Sequence, residues 1–150
     1  MSTIDTKDKL LIGGEYSTEL IEALEKAKVS ILVVMYVWAF YPDDPFCDPS
    51  RITHLILDGH RRKLDVRVIT QFNEVKNKLE KLGLNVKTLG NQKLVHAKFF
   101  IIDNKTVFIG SHNISNSALN SNVEVSTKSE RPDYVKQLKD YFNVLWQQPM

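Results

Sequence analysis

The run Val29-Ser30-Ile31-Leu32-Val33-Val34-Met35-Tyr36-Val37 restricts the fold more than any other stretch of this chain. It is apolar and rich in β-branched residues, with no alternation between a wet and a dry face. A strand of that kind is stable only when layers cover it on both sides, as in the middle of an α/β sheet. The longest apolar stretch, Ile31 to Phe40, is about half the roughly 20 residues that a membrane-spanning helix needs. It therefore predicts a buried strand.

The flanking patterns supply the covering layers. Ser17 is expected to cap a helix running to about Lys28, with Leu20, Ile21, Leu24 and Ala27 on its apolar stripe. Residues 40–49 hold three prolines and three aspartates and predict a loop. Ser50 is expected to cap a second helix, with Ile52, Leu55 and Ile56 inward and its end near Gly59 to Lys63. Val66, Val68 and Thr70 alternate with polar residues as a strand does. A helix from about Asn73 stops at Gly83, and a short strand follows around Val86 to Leu89. Strands near Val95–Ile102 and Thr106–Ile109 meet at the turn Asp103-Asn104-Lys105. A short helical piece near Asn116, a strand at Val123–Thr127 and a helix opened by Pro132 complete the chain. That last helix places Val135, Leu138, Phe142 and Leu145 on one face. The order β-α-β-α-β followed by adjacent strands implies an α/β fold, a mixed β-sheet flanked by helices on both faces. With no repeat or linker, residues 1–150 form one domain, and residues 1–12 are expected to be peripheral.

Within this frame, Val95-His96-Ala97-Lys98-Phe99-Phe100-Ile101-Ile102-Asp103 and Gly110-Ser111-His112-Asn113 carry the chemistry. His96 and Lys98 are two apart in a β-prone run, so their side chains are expected on one face of the strand. Placing an imidazole and an ammonium in such a run needs a purpose, because burying polar heads is costly. A phosphate suits these donors best. From average residue usage, H-x-K-x4-D arises by chance in roughly one chain of this length in a hundred. A G-S-x-N at a fixed distance makes coincidence far rarer.

The combination resembles the phospholipase D superfamily, whose hallmark is H-x-K-x4-D with a downstream G-S-x-N. More narrowly, it resembles the small bacterial endonucleases of that superfamily, which carry one copy of the motif per chain. The similarity runs from about Gly13 to Trp146, and Glu124 matches the acidic residue such nucleases place shortly after G-S-x-N. The resemblance implies that neutral His96 attacks phosphorus and forms a phosphohistidine. A second histidine protonates the leaving oxygen and then activates water. Lys98 and Asn113 would hold the non-bridging oxygens, and Ser111 would add a donor or support its loop. Glu124 would orient the His96 ring through its other nitrogen. Asp103 belongs to the motif, yet Asp103-Asn104 is equally a good turn, and the structural role is favoured on turn chemistry.

Only one copy of the motif exists. His54, His60 and His112 lie in no second one, and His112 is expected either to line the cleft or to sit on a nearby surface. A two-fold homodimer would bring His96 of two chains across one cleft. No metal or cofactor is expected: Cys47 is alone, and C-x-x-C and H-x3-H spacings are absent. The lone cysteine fits a reducing cytoplasm. The N-terminal residues carry acids and lack the apolar core of a signal peptide.

A net charge of +2 conceals a marked asymmetry. Residues 1–50 carry four bases against nine acids, residues 51–105 twelve against five, and residues 106–150 four against four. The basic middle third favours a polyanionic partner, DNA first and RNA second. Gly59-His60-Arg61-Arg62-Lys63 within it reads better as ordinary cations at a helix C-terminus. Trp38, Phe40 and Tyr41 end the long strand, where they are expected to pack, with stacking on bases as the alternative. The function expected from the sequence is a metal-independent endonuclease. A phospholipase would use the same chemistry, but no anchor or interfacial helix is evident. A non-catalytic nucleic-acid binder has no chemical reason to fill every reactive position.

Overall fold

The computed structural model of the chain describes residues 8–149. The expectation for residues 1–7 lies outside the described residues. Seven strands form one sheet: β1 (Lys9–Ile12), β2 (Ser30–Met35), β3 (Asp65–Thr70), β4 (Asn85–Lys87), β5 (Phe99–Ile102), β6 (Thr106–Gly110) and β7 (Val125–Ser129). Their order across the sheet is β1-β7-β6-β5-β2-β3-β4. The β2–β3 and β3–β4 pairs are parallel and the other four are antiparallel. Five helices accompany them: α1 (Glu15–Glu25), α2 (Asp48–Arg61), α3 (Asn73–Lys81), α4 (Asn116–Asn120) and α5 (Pro132–Trp146).

The apolar run behaves as its composition requires. All six residues of β2 are buried, and their alternation sorts them between two cores. Ile31, Val33 and Met35 join Leu20, Leu24, Ile52, Ile56 and Leu79 under α1, α2 and α3. Leu32 and Val34 join Phe99, Ile101, Val135, Phe142 and Leu145 under α5. The mixed sheet covered by helices on both faces is therefore the observed architecture.

Several element boundaries differ from local expectation, each for a tertiary reason. Helix α1 begins at Glu15, ahead of the expected cap Ser17. The Ser17 hydroxyl is buried and donates instead to Asp48 Oδ2 at 2.9 Å. Helix α2 begins at Asp48 because Pro49 suits a first turn, and the Ser50 hydroxyl donates to the Asp44 carbonyl at 2.9 Å. Residues 9–12 form the edge strand of the sheet: β1 pairs in register with β7, and Leu11 is 2% exposed. The ladder of β5 opens only at Phe99, so Val95–Lys98 is a connection leading into the strand rather than part of it.

Candidate active site

The carboxyl ends of the parallel strands β2 and β3 and the start of β5 meet at one edge of the sheet. Ligands in α/β folds bind at such edges, where the backbone leaves its ladder and side chains face outward. The segment entering β5 is pinned there by Gln71, just past β3, whose Oε1 accepts from Val95 N at 2.7 Å. His96 follows, exposed, and its ring lies 4.8 Å from the Tyr36 ring between centroids. Lys98, half-buried, donates from Nζ to the His96 carbonyl at 2.9 Å and stands 5.5 Å from the Tyr36 ring centroid. An ammonium has three donors, so this leaves donors for an anion.

Asn113 reaches the same place from β6. Its Oδ1 accepts from Val37 N at 3.0 Å, next to Tyr36 in sequence. An amide N–H can only meet the oxygen of a carboxamide, so the Asn113 amino group is the end left for a ligand. His96, Lys98 and Asn113 are thus gathered around Tyr36-Val37. Tyr36 went unnoticed in the sequence, where it reads as one more member of an apolar run. Its signal was its place directly after the last ladder residue of a central strand.

The other motif residues fall elsewhere. Ser111 Oγ accepts from Val125 N at 3.0 Å and donates to Val125 O at 3.2 Å, so it splices its loop to the start of β7. The Glu124 carboxylate accepts from Asn122 Nδ2 at 3.2 Å rather than meeting the His96 ring, whose nitrogens make no hydrogen bond among the described residues. Asp103 is not gathered with His96, Lys98 and Asn113. It lies past the opposite end of β5 from His96, in a turn where Asp103 and Asn104 have φ of 58° and 52°. Its carboxylate accepts from the backbone N–H groups of Lys28, Val29 and Ser30 at 2.8–3.2 Å. A carboxylate so engaged ties the β5–β6 hairpin to the entry of β2 and is far from any phosphate held by His96.

His112 meets neither expectation. It is 1% exposed, stacked on Tyr16 with 4.2 Å between centroids. Nε2 donates to the Gly13 carbonyl at 2.8 Å, so Nδ1 accepts a hydrogen bond from the Ser126 hydroxyl at 2.7 Å. Burial pushes its pKa below the usual histidine value, against the weaker opposing effect of the Gly13 carbonyl. It is a structural histidine that joins β1, β7 and the G-S-x-N loop. Among the described residues, no group of three histidine, cysteine or acidic side chains is placed to hold a metal ion.

A mixed sheet with this histidine, lysine and asparagine at the ends of its central strands defines a phospholipase D-like domain. The family model described as the phospholipase D-like domain of cardiolipin synthase matches residues 20–146, and the chain belongs to this superfamily. Its hydrolytic members cleave phosphodiesters. The fold superposes on Nuc from Salmonella typhimurium, a phospholipase D family member, with a TM-score of 0.76 and 21% identity over 95% of this chain and 96% of that one. NucT from Helicobacter pylori gives 0.70 and 22% over the same shares of the two chains. Human mitochondrial cardiolipin hydrolase is 28% identical over 91% of this chain. This chain spans about half, 53%, of that relative's length. Among the described residues, no helix is long and apolar enough to cross a membrane.

Proposed function

We propose that the protein is a metal-independent phosphodiesterase that cleaves nucleic acid, DNA first and RNA second, at a site completed by a second copy of the chain. The observation that carries this reading is the convergence of His96, Lys98 and the Asn113 amino group around Tyr36-Val37. The imidazole of His96 attacks phosphorus, the N–P bond forms, and the bond to the leaving oxygen breaks. The imidazolium of the second copy's histidine donates its proton to that oxygen. The same ring, now neutral, takes a proton from water as water attacks the phosphohistidine, and the N–P bond breaks. Lys98 and Asn113 stabilise the charge on the non-bridging oxygens throughout.

One copy of the motif supplies one such histidine, and neither His112, buried in the fold, nor Asp103, at the far end of β5, stands beside it. Two-fold symmetry supplies the other at no cost in new sequence. Exposed apolar side chains at the same edge favour a second copy there. Ile12 and Val125 are paired across β1 and β7, and both are about half exposed or more, at 60% and 49%. A second copy seated there would take this apolar surface out of water.

The basic middle third favours nucleic acid as the polyanion. The likeness to a cardiolipin hydrolase supports a second reading, a lipid phosphodiester, with the same chemistry. Plasmid DNA, single-stranded DNA, RNA and cardiolipin vesicles, each with and without excess EDTA, separate the two. Nucleic-acid cleavage that survives EDTA and is lost in His96→Ala is expected. Cleavage dependent on added magnesium, or lipid turnover alone, contradicts the proposal.

A further inference from the structure

Away from His96, the surface beyond Tyr36 continues as a groove in which aromatic rings and lysines alternate. The Tyr36 ring is 5.6 Å from that of Phe72, which is 43% exposed at the start of α3. Phe72 and Phe40 line a hollow of about 380 Å³. Phe40 and Tyr41 line the next, of about 500 Å³, with Leu82 and Lys81. Lys78 borders both hollows, and its Nζ stands 5.3 Å from the Phe40 ring centroid. Counted outward from the histidine, Lys98 stands over Tyr36, Lys78 over Phe40, and Lys81 lies beyond.

We propose that this groove binds a single-stranded nucleic acid on one side of the scissile phosphate, with a base stacked on the exposed Phe72 ring and phosphates held by Lys78 and Lys81, while Phe40, partly buried against the core beneath Lys78, forms the floor. The proposal rests on the nucleic-acid reading above and names the form of the substrate. Alternating rings and cations are the chemistry of single-strand recognition, because every base offers a face for stacking and every linkage a charge. A duplex hides its base faces inside its own stack. An acyl chain would fit the apolar walls of the second hollow, but it would strip water from Lys78 without giving it a counter-charge.

The groove exists before a ligand arrives. The Tyr41 hydroxyl accepts from Asn116 N at 2.9 Å, Ala39 N donates to Ile114 O at 2.8 Å, and Trp38 Nε1 donates to Thr53 Oγ1 at 2.9 Å. Residues 40–49 are acidic, yet Asp43, Asp44 and Asp48 border neither hollow. Glu74 does border the first, paired with Lys78 at 3.1 Å. That pair is exposed, at 50% and 80%, so it holds little energy and a phosphate can take the place of the carboxylate. Lys78 and Lys81, three apart on α3, present their charges on one side of the helix.

The test is binding in a His96→Asn background, read by fluorescence anisotropy with a labelled twelve-nucleotide single strand and its duplex. Lys78→Glu with Lys81→Glu is expected to weaken single-strand affinity at least about tenfold. Phe72→Leu, which keeps apolar bulk but removes the exposed aromatic face, is expected to weaken it several-fold and to leave duplex affinity unchanged. Lys78→Ala serves as a second variant, and an unchanged melting temperature for each shows that the fold is intact. Unaltered single-strand affinity in the lysine variants overturns the proposal. So does loss of sedimentation with cardiolipin vesicles but not of oligonucleotide binding, which assigns the groove to lipid. Cleavage of DNA by a wild type whose groove variants bind normally would refute the groove alone. Groove-dependent binding by a protein that cleaves nothing would refute the catalytic reading alone.

Discussion

Asp103 and His112 show how a polar residue near a catalytic motif is absorbed by the fold. Replacing Asp103 with Ala leaves the backbone N–H groups of Lys28, Val29 and Ser30 without their shared acceptor. Chemical denaturation is expected to show a loss of about 2–4 kcal/mol, while turnover per folded molecule is retained. A turnover loss larger than the folded fraction explains would return Asp103 to the site. His112 gives a pH dependence of definite sign. Its pKa is lowered in the folded state, so between the two values the unfolded chain binds the extra proton. Its contribution is complete above the ordinary value of 6.5 and is lost as pH falls below it, until the folded ring also protonates. The urea midpoint is expected to drop between pH 8 and pH 5.5, and to drop less in His112→Phe, which keeps the stack on Tyr16 but cannot titrate. The residue types of the proposed site were legible because they are the donors a phosphate would need. The partners of Asp103 were not, since Val29 lies 74 positions away and its N–H carries no sequence signal. The burial of His112 was hidden for the same reason: Gly13 and Tyr16 meet it only through the sheet.

Among the elements, β2 was legible from composition, because a short run with an apolar side chain at almost every position and many β-branches suits a strand covered on both faces. Helix α5 announced itself by its stripe, and Val135, Phe142 and Leu145 are buried where the period put them. Strand β1 was not legible, since a four-residue edge strand with one inward residue, Leu11, has no period to read. The junction of β6 with the G-S-x-N loop depends on a contact of the same hidden sort. A Cβ on Gly110 would stand 2.4 Å from Ser126 Cα and 2.3 Å from Ser126 Oγ. Backbone cannot yield to that as a flexible side chain would, so the first residue of G-S-x-N is glycine because β7 passes against it. Gly110→Ala is expected to cost about 2–4 kcal/mol and to displace the loop that carries Asn113. Both the melting temperature and kcat should fall. A variant with a normal melting temperature and normal kcat would mean that the two strands separate easily.

At the scale of the whole molecule, the proposed mechanism has a consequence for assembly. One motif supplies one nucleophile, and hydrolysis through a phosphohistidine needs a second proton-transfer group. If that group is His96 of a second copy, a heterodimer of wild type and His96→Asn has a nucleophile without its acid, or an acid without its nucleophile. Subunits exchanged to random pairing at equal amounts then leave about a quarter of the dimers intact, so activity should fall to about a quarter of the all-wild-type value at the same total protein. Independent active monomers in the same mixture would retain about half. Dilution supplies the complementary measurement, because specific activity should decline once the concentration passes below the dissociation constant of the pair. The Ile12–Val125 pair gives a structural handle on the same equilibrium, since both residues are exposed in the single chain and neither belongs to the His96, Lys98 and Asn113 group. Ile12→Glu with Val125→Lys is expected to lower the measured mass and the specific activity together, and raising the protein concentration should restore both. A fully active species of single-chain mass in light scattering would refute the shared cleft and require the acid to come from within one chain.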